Sequence, residues 1–384
     1  MKTKMVGALF ALVTVLALGG VAQAAEVKFG VAAALTGPIG KMGVPIKNGF
    51  ILAAEEINTQ GGVNGNKLVL VIEDEQAKKE EGMNVVKKFI FQDKVLAIFG
   101  PTTSGSFFAA GPIANQAKVV AFGTSTTASG ITDIGPWIFR NAVMEADILP
   151  ITVREAVRKF GIKKVAIIYG NDDSFTKSGY DVFKNVLETQ KIPVTNTETF
   201  ARGDVDFRAQ LTKIKAQNPD AIVCSGYVEE IANILTQSRN LGITVPFIGG
   251  NGFNTPKLFE LAGAASDNSV MGSPWASEST SAKNKAFIAA YTKKNGIEPD
   301  QFAAQAYDGL YIMAEALKAV KLTGNLEKDR QALRDALPSV KYTGATGPFA
   351  FRKASVKAGV ETGYDAQQEA HIFIAKGGKF VLLK

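Results

Sequence analysis

The chain has 384 residues, too many for one core at roughly 150 residues per domain, so two or three domains are expected. Hydrophobic residues make up 46% and charged residues 21%, an ordinary globular balance that excludes intrinsic disorder. The formal charge of +7 is thinly spread, with no run of five basic residues and no basic-aromatic cluster, so no nucleic-acid partner is expected; a mild positive field would favour an anion.

The N-terminus carries the pattern of an export signal. Lys2 and Lys4 form a positive start, residues 6–18 are apolar apart from Gly7 and Thr14, and Ala22-Gln23-Ala24 offers the small-x-small site that a signal peptidase needs. Residues 1–24 are therefore read as a cleaved signal peptide, and the charge falls from +7 to +5 when Lys2 and Lys4 leave. The apolar stretch is shorter than the ~20 residues of a membrane span. No cysteine follows the cleavage site to carry a lipid, and no later segment is long and apolar enough to cross a bilayer. A periplasmic, soluble mature protein is expected.

Residues 27–35 read as a first strand, followed by the turn Thr36-Gly37-Pro38. Ile46, Phe50, Ala53 and Ile57 then share one helical face, which ends near Gly61-Gly62. Residues 68–72 predict a strand, 85–91 lie within a helix, and 95–99 predict a strand stopped by Gly100-Pro101. A helix over 107–117 and a strand over 119–122 complete a β-α alternation, the pattern of a parallel sheet with helices on both faces. The alternation then restarts. Residues 148–160, 179–189, 207–216 and 231–241 read as helices, and 165–169, 221–224 and 245–249 as strands. Two such runs imply two similar α/β lobes. Two long helices follow at 283–294 and 302–320. The segments 349–351, 371–375 and 380–383 read as closing strands added to an existing lobe. The single cysteine, Cys224, lies in an apolar run and reads as a core residue; no intramolecular disulfide can form.

The inventory for catalysis is poor. The one histidine, His371, sits in the alternation His371-Ile372-Phe373-Ile374 and reads as an ordinary strand residue. One histidine and one cysteine make no zinc cluster, and no phosphate loop or nucleophile elbow is present. Neither enzymatic activity nor a metal or cofactor is expected.

Binding chemistry has stronger support. In open parallel sheets, ligands collect at the carboxyl ends of strands. Two such ends are rich in hydroxyls and glycine: Gly100-Pro101-Thr102-Thr103-Ser104-Gly105-Ser106, leading into a helix, and Gly123-Thr124-Ser125-Thr126-Thr127-Ala128-Ser129-Gly130. Main-chain N–H groups, hydroxyls and a positive helix end together suit an anion such as a carboxylate. Helix caps and turns use the same residues, but two such loops at successive strand ends point to a shared site.

These loops and their surroundings resemble the periplasmic leucine/isoleucine/valine-binding proteins, the type I solute-binding proteins of ABC transporters. The likeness runs through Phe29-Gly30-Val31, Leu35-Thr36-Gly37-Pro38, Ala54-Glu55-Glu56-Ile57-Asn58, Gly61-Gly62-Val63-Asn64-Gly65, Tyr169-Gly170-Asn171-Asp172-Asp173 and Ala306-Tyr307-Asp308-Gly309-Leu310. It implies two Rossmann-like α/β lobes of parallel sheet joined by a three-crossing hinge. Lobe one would span 26–145 plus 275–341, and lobe two 146–274 plus 342–384. It also implies a monomer that hands a small-molecule carboxylate or amino acid to an inner-membrane permease. The family's carboxylate-binding serine falls on Ser104, its second loop on Ser125 and Thr127, and its side-chain pocket on Met42, Phe175, Tyr227 and Phe302.

One departure bears on the ligand. Amino-acid binders of this kind often carry glutamate where this chain has Asn251. A carboxylate holds an ammonium by a charge-assisted bond about twice as strong as a neutral one. The resemblance therefore implies a branched-chain or other hydrophobic amino acid if Asp172 or Glu229 reaches the ammonium, and an aromatic or short-chain acid without an amine otherwise. A sensor that signals to a regulator or chemoreceptor is a further reading. The family's usual first-lobe disulfide cannot form here.

Overall fold

The computed structural model describes residues 26–37, 39–355, 359 and 361–383. The signal peptide expected over 1–24 and Pro38 of the first turn lie outside the described residues. The chain opens with β1 (Glu26–Ala33), α1 (Gly40–Thr59), β2 (Lys67–Asp74), α2 (Lys79–Lys88), β3 (Ala97–Phe99), α3 (Ser104–Gln116), β4 (Val120–Gly123) and β5 (Ile138–Arg140). It then crosses to a second sheet through α4 (Glu145–Phe160), β6 (Val165–Gly170), α5 (Ser174–Thr189), β7 (Val194–Phe200), α6 (Arg208–Ala216), β8 (Ala221–Ser225), α7 (Val228–Asn240), β9 (Phe247–Gly249), α8 (Lys257–Ala262) and β10 (Val270–Ser273). It returns through α9 (Ala282–Asn295), α10 (Gln301–Lys318), α11 (Leu326–Ala336), β11 (Lys341–Gly344), β12 (Gly347–Lys353) and β13 (Tyr364–Gln367), and ends in β14 (His371–Lys376) and β15 (Lys379–Leu382).

The first sheet runs β11-β12-β13-β5-β4-β3-β1-β2 and the second β15-β14-β10-β9-β8-β6-β7. Pairing is parallel from β5 to β2 and from β10 to β7, as the β-α alternation requires. The antiparallel strands sit at one end of each sheet. The central strands are buried on both faces, so β3, β4 and β8 are continuous apolar runs rather than alternating ones. The chain passes between the sheets three times, at 141–144, 274–281 and 368–370, which makes the expected three-crossing hinge.

The helical face read from α1 is the one that packs: Ile46, Phe50, Ala53 and Ile57 are all buried in the first-lobe core. Phe50 meets Phe99 with ring centroids 4.6 Å apart, and Phe99 meets Phe122 at 5.6 Å. Such pairs contribute about 0.5–1.5 kcal/mol each beyond their buried area. Gly49 allows α1 to lie close against α10, since a Cβ there would come within 2.3 Å of the Ala303 carbonyl oxygen. Cys224 is fully buried on β8, and burial pushes its thiol pKa up.

One expected boundary is corrected. Residues 342–384 do not form a single set of closing strands on the second lobe. Strands β11 to β13 extend the first sheet, and only β14 and β15 join the second. Phe351 of β12 packs edge-on against Phe122 and Phe139, at 6.1 and 5.4 Å, and Asp365 of β13 pairs with Arg140 of β5. Alternating strands carry the same period wherever they pair, so local pattern could not separate the two groups.

Candidate functional site: a chamber between the lobes

The first-lobe wall is built from the ends of β3 and β4. Thr103 caps α3, its Oγ1 accepting from the Ser106 N–H at 3.1 Å. This leaves the first turn of a 13-residue helix facing the cleft with its positive end. The two hydroxyl-rich loops are bonded to each other: Ser125 Oγ donates to the Thr102 carbonyl at 2.8 Å, and Ser104 Oγ accepts from the Ala128 N–H at 3.3 Å. Because Ser104 accepts there, its hydroxyl hydrogen stays available for a ligand. Thr127 Oγ1 is buried and has no hydrogen-bond partner among the described residues. Buried hydroxyls are usually paired, so this one is an unspent donor.

A buried arginine holds the second loop in place. Arg140 Nη1 donates to the carbonyls of Thr126 and Ala128, at 3.0 and 2.8 Å, on either side of Thr127. Its Nε donates to Asp365 at 2.7 Å, and Asp365 also accepts from Thr132 Oγ1. Arg140 is fully buried, and burial pulls its pKa down against the raising effect of Asp365. Behind the first loop lies Glu75, whose Oε1 accepts from the Thr102 N–H at 3.2 Å. Burial raises the Glu75 pKa to about 7, against the lowering bonds of Ser106 and Thr102.

The opposite wall is largely apolar. Phe175, in the first turn of α5, and Tyr227, just before α7, lie with ring centroids 5.2 Å apart. Tyr227 OH donates to Asp173, which caps α5 by accepting from the N–H groups of Phe175 and Thr176. Both rings pack with Ala34, Ile39, Ala77 and Met42 of the first lobe, so the lobes are closed on one another. Ser129 N–H to Ser178 Oγ, at 3.0 Å, and Arg202 to the Ala77 carbonyl, at 3.4 Å, also cross the cleft.

All eight residues singled out from the sequence (Met42, Ser104, Ser125, Thr127, Phe175, Tyr227, Asn251 and Phe302) line one interlobe chamber of about 20 Å³, with Thr102, Thr103 and Gly252. A second chamber of about 20 Å³ adjoins it, sharing Met42, Tyr227, Gly252 and Phe302 and adding Glu229, Lys257 and Asp300. Each has room for about one water, so a larger solute reaches these groups only if the lobes part or side chains move. Of the two carboxylates considered for an ammonium, Glu229 lines only the second chamber. Asp172 lines neither: it is exposed and accepts from the Arg202 N–H at 3.0 Å. A separate open groove of about 1230 Å³ runs along the hinge past 341–350 and 366–371 and contains His371 but none of the eight. His371 is a β14 residue, as read, and burial lowers its pKa.

Sequence reasoning missed Arg140, Asp365, Glu145 and Gln301. Each acts across 50 or more residues, as in the 225-residue separation of Arg140 and Asp365, and no local pattern announces such a pair. Thr102 and Thr103 belong to the hydroxyl-rich loop already noted.

Two hinged α/β lobes enclosing a chamber with hydroxyl donors on one side and aromatic rings on the other define a solute-binding protein. The chain belongs to the periplasmic binding protein family, whose model matches residues 26–369. It is 28% identical over 371 residues, covering 96% of this chain and 97% of the relative, to the leucine-, isoleucine-, valine-, threonine- and alanine-binding protein of Pseudomonas aeruginosa. It is also similar to the branched-chain amino acid transporter substrate binding protein LivJ from Streptococcus pneumoniae, solved with isoleucine: 31% identity, TM-score 0.82, 92% of this chain and 97% of that one. A solute binding protein of an ABC transporter from Rhodopseudomonas palustris, solved with 3,4-dihydroxybenzoic acid, gives 26% identity, TM-score 0.79 and coverage of 92% and 95%. Among the described residues no helix is long and apolar enough to cross a membrane.

Proposed function

We propose that this chain is the extracytoplasmic receptor of an ABC importer. It closes its lobes over a small carboxylate, foremost a branched-chain or other hydrophobic amino acid, and delivers it to a membrane permease. The observation that carries the reading is the chamber itself, which sets Ser104, Thr127 and the α3 N-terminus against Phe175, Tyr227, Met42 and Phe302. The first group suits a carboxylate, and the second suits an apolar side chain. Hinge closure would hide the ligand from water and present the closed form to the permease. Residues 1–24 would direct export and be removed. With hydroxyls, an amide, a thioether and aromatic rings in the wall, the site is one for binding rather than catalysis.

A carboxylate without an amine is the second reading, favoured by the lack of any charged residue among those lining the eight-residue chamber. A thermal-shift screen of refolded, ligand-free mature protein separates the two. A ligand at about 100 times its Kd adds about 2.7 kcal/mol of stability. Shifts with leucine, isoleucine or valine are expected. Shifts only with aromatic or aliphatic acids would move the substrate to that class, and no shift with either set would overturn the reading.

A further inference from the structure

Asn251 is one link in a chain of side-chain amides whose direction is set by a buried acid. Glu145 begins α4, directly after the first hinge crossing, and is 2% exposed. Its Oε1 accepts from both the main-chain N–H and the side-chain Nδ2 of Asn251, at 2.9 and 3.1 Å. An oxygen taking both donors requires the Asn251 NH₂ group to point at Glu145, so the amide oxygen must point away. On that side Asn251 Oδ1 accepts from Gln301 Nε2 at 3.1 Å, and Gln301 Oε1 in turn accepts from Asn254 Nδ2 at 2.8 Å. An amide oxygen has two lone pairs, and Gln301 occupies one of them. Donation to a carboxylate also polarises the amide and strengthens its oxygen as an acceptor.

Among the described residues no cation lies within salt-bridge distance of Glu145, and burial raises its pKa, so a cation bound close by would favour its ionised form. Asp173, another acid one residue behind the chamber wall, has Arg202 at 3.9 Å. The chain also makes room for Glu145: a Cβ on Gly250 would lie 2.1 Å from Glu145 Oε2, so the Gly250-Asn251 pair admits the acid behind the wall.

We infer that Glu145 is the anionic counterpart of the ligand's ammonium and acts through Asn251. It orients the amide so that Oδ1 accepts from the ammonium, and its negative charge compensates the cation at one amide's remove. The inference rests on the amino-acid reading of the chamber and explains how that reading survives without a carboxylate in the wall. Glu145 is a positioning residue, since it touches Asn251 and not the ligand.

The test compares leucine with isocaproate, which is leucine without its amine, by titration calorimetry on the wild type, Glu145→Gln and Asn251→Leu. The wild type should bind leucine more tightly. Glu145→Gln keeps the shape and the acceptor oxygen but removes the charge. It should weaken leucine about tenfold, equivalent to about 1.4 kcal/mol, and leave isocaproate within about twofold. Asn251→Leu, which cuts the path from Glu145 to the chamber, should abolish the preference for leucine even if Glu145→Gln fails to fold. A purely structural role would weaken both ligands equally, and that result, or an unchanged ratio in both variants, would overturn the inference. Wild-type preference for isocaproate would overturn it while leaving a carboxylate-binding receptor intact. If neither ligand binds, the inference and the proposed ligand class fall together.

Discussion

On the first-lobe side of the chamber, the polar groups come from two loops, each continuous in sequence, that are bonded to each other and leave Thr127 Oγ1 without a partner among the described residues. On the second-lobe side, Tyr227 OH is bonded to Asp173, and Asn251 has its amide nitrogen bonded to Glu145 and its oxygen to Gln301. The first wall thus carries its own chemistry and borrows only support, from Arg140 and Glu75. The second wall borrows its chemistry from residues outside it. Substitutions in the two walls should therefore fail differently. On the first side, loss of the loop donors weakens every carboxylate alike. On the second, loss of a remote residue changes which carboxylate is preferred.

The largest effect is expected from Arg140→Met. It leaves Asp365 buried without its partner and frees the Thr126 and Ala128 carbonyls, which should cost about 3–5 kcal/mol in urea unfolding. Stability within about 1 kcal/mol of the wild type would show that the loop supports itself.

Next comes Glu75→Gln, whose effect depends on pH. Burial raises the folded-state pKa of Glu75 from 4.5 to about 7. Between those values the folded chain holds a proton that the unfolded chain releases, so this group's contribution to stability falls as pH rises through the window. The amide variant should lose that slope, a difference on the order of 3 kcal/mol between its two ends. Urea unfolding on either side of the window measures it, and parallel profiles for the two proteins would show that Glu75 does not titrate there.

Ser104→Ala should weaken binding by about 1–3 kcal/mol by stripping a donor from a buried anion, for acids with and without an amine alike. Unchanged calorimetric affinity would mean that the carboxylate sits elsewhere. Tyr227→Phe removes the hydroxyl bond to Asp173 but keeps the ring in the wall, and should cost about 1 kcal/mol of stability. A large loss of ligand affinity in this variant would show that the hydroxyl itself touches the solute. The smallest effect is expected from Thr127→Val. It should stabilise the ligand-free protein by roughly 0.5–1 kcal/mol, because a buried hydroxyl without a partner is removed, while weakening ligand binding. Calorimetric unfolding with and without ligand would show both signs, and destabilisation of the free protein would indicate a partner for that hydroxyl.

Much of this candidate site is legible in the sequence. Strand ends in a β-α alternation mark where ligands gather, and the resemblance carried Met42, Phe175, Tyr227 and Phe302 to the same place. The placement of the last strands was not legible. Residues 349–351 and 371–375 look alike as alternating apolar segments, yet one pairs in the first sheet and the other in the second. Asp172, a plausible partner for an ammonium in sequence, turns out to brace the Arg202 main chain.

Taken alone, the sequence determined the α/β alternation, the two lobes and the hydroxyl loops, because these follow from periodicity and composition over a few adjacent residues. Only the tertiary structure decided that Arg140 meets Asp365, that Glu145 lies behind Asn251, and that the chain divides its last strands between the lobes. Each of these depends on groups far apart in the chain that share a desolvated space, where buried polar groups must find hydrogen-bond partners and rings must fit, and no local pattern records such neighbours.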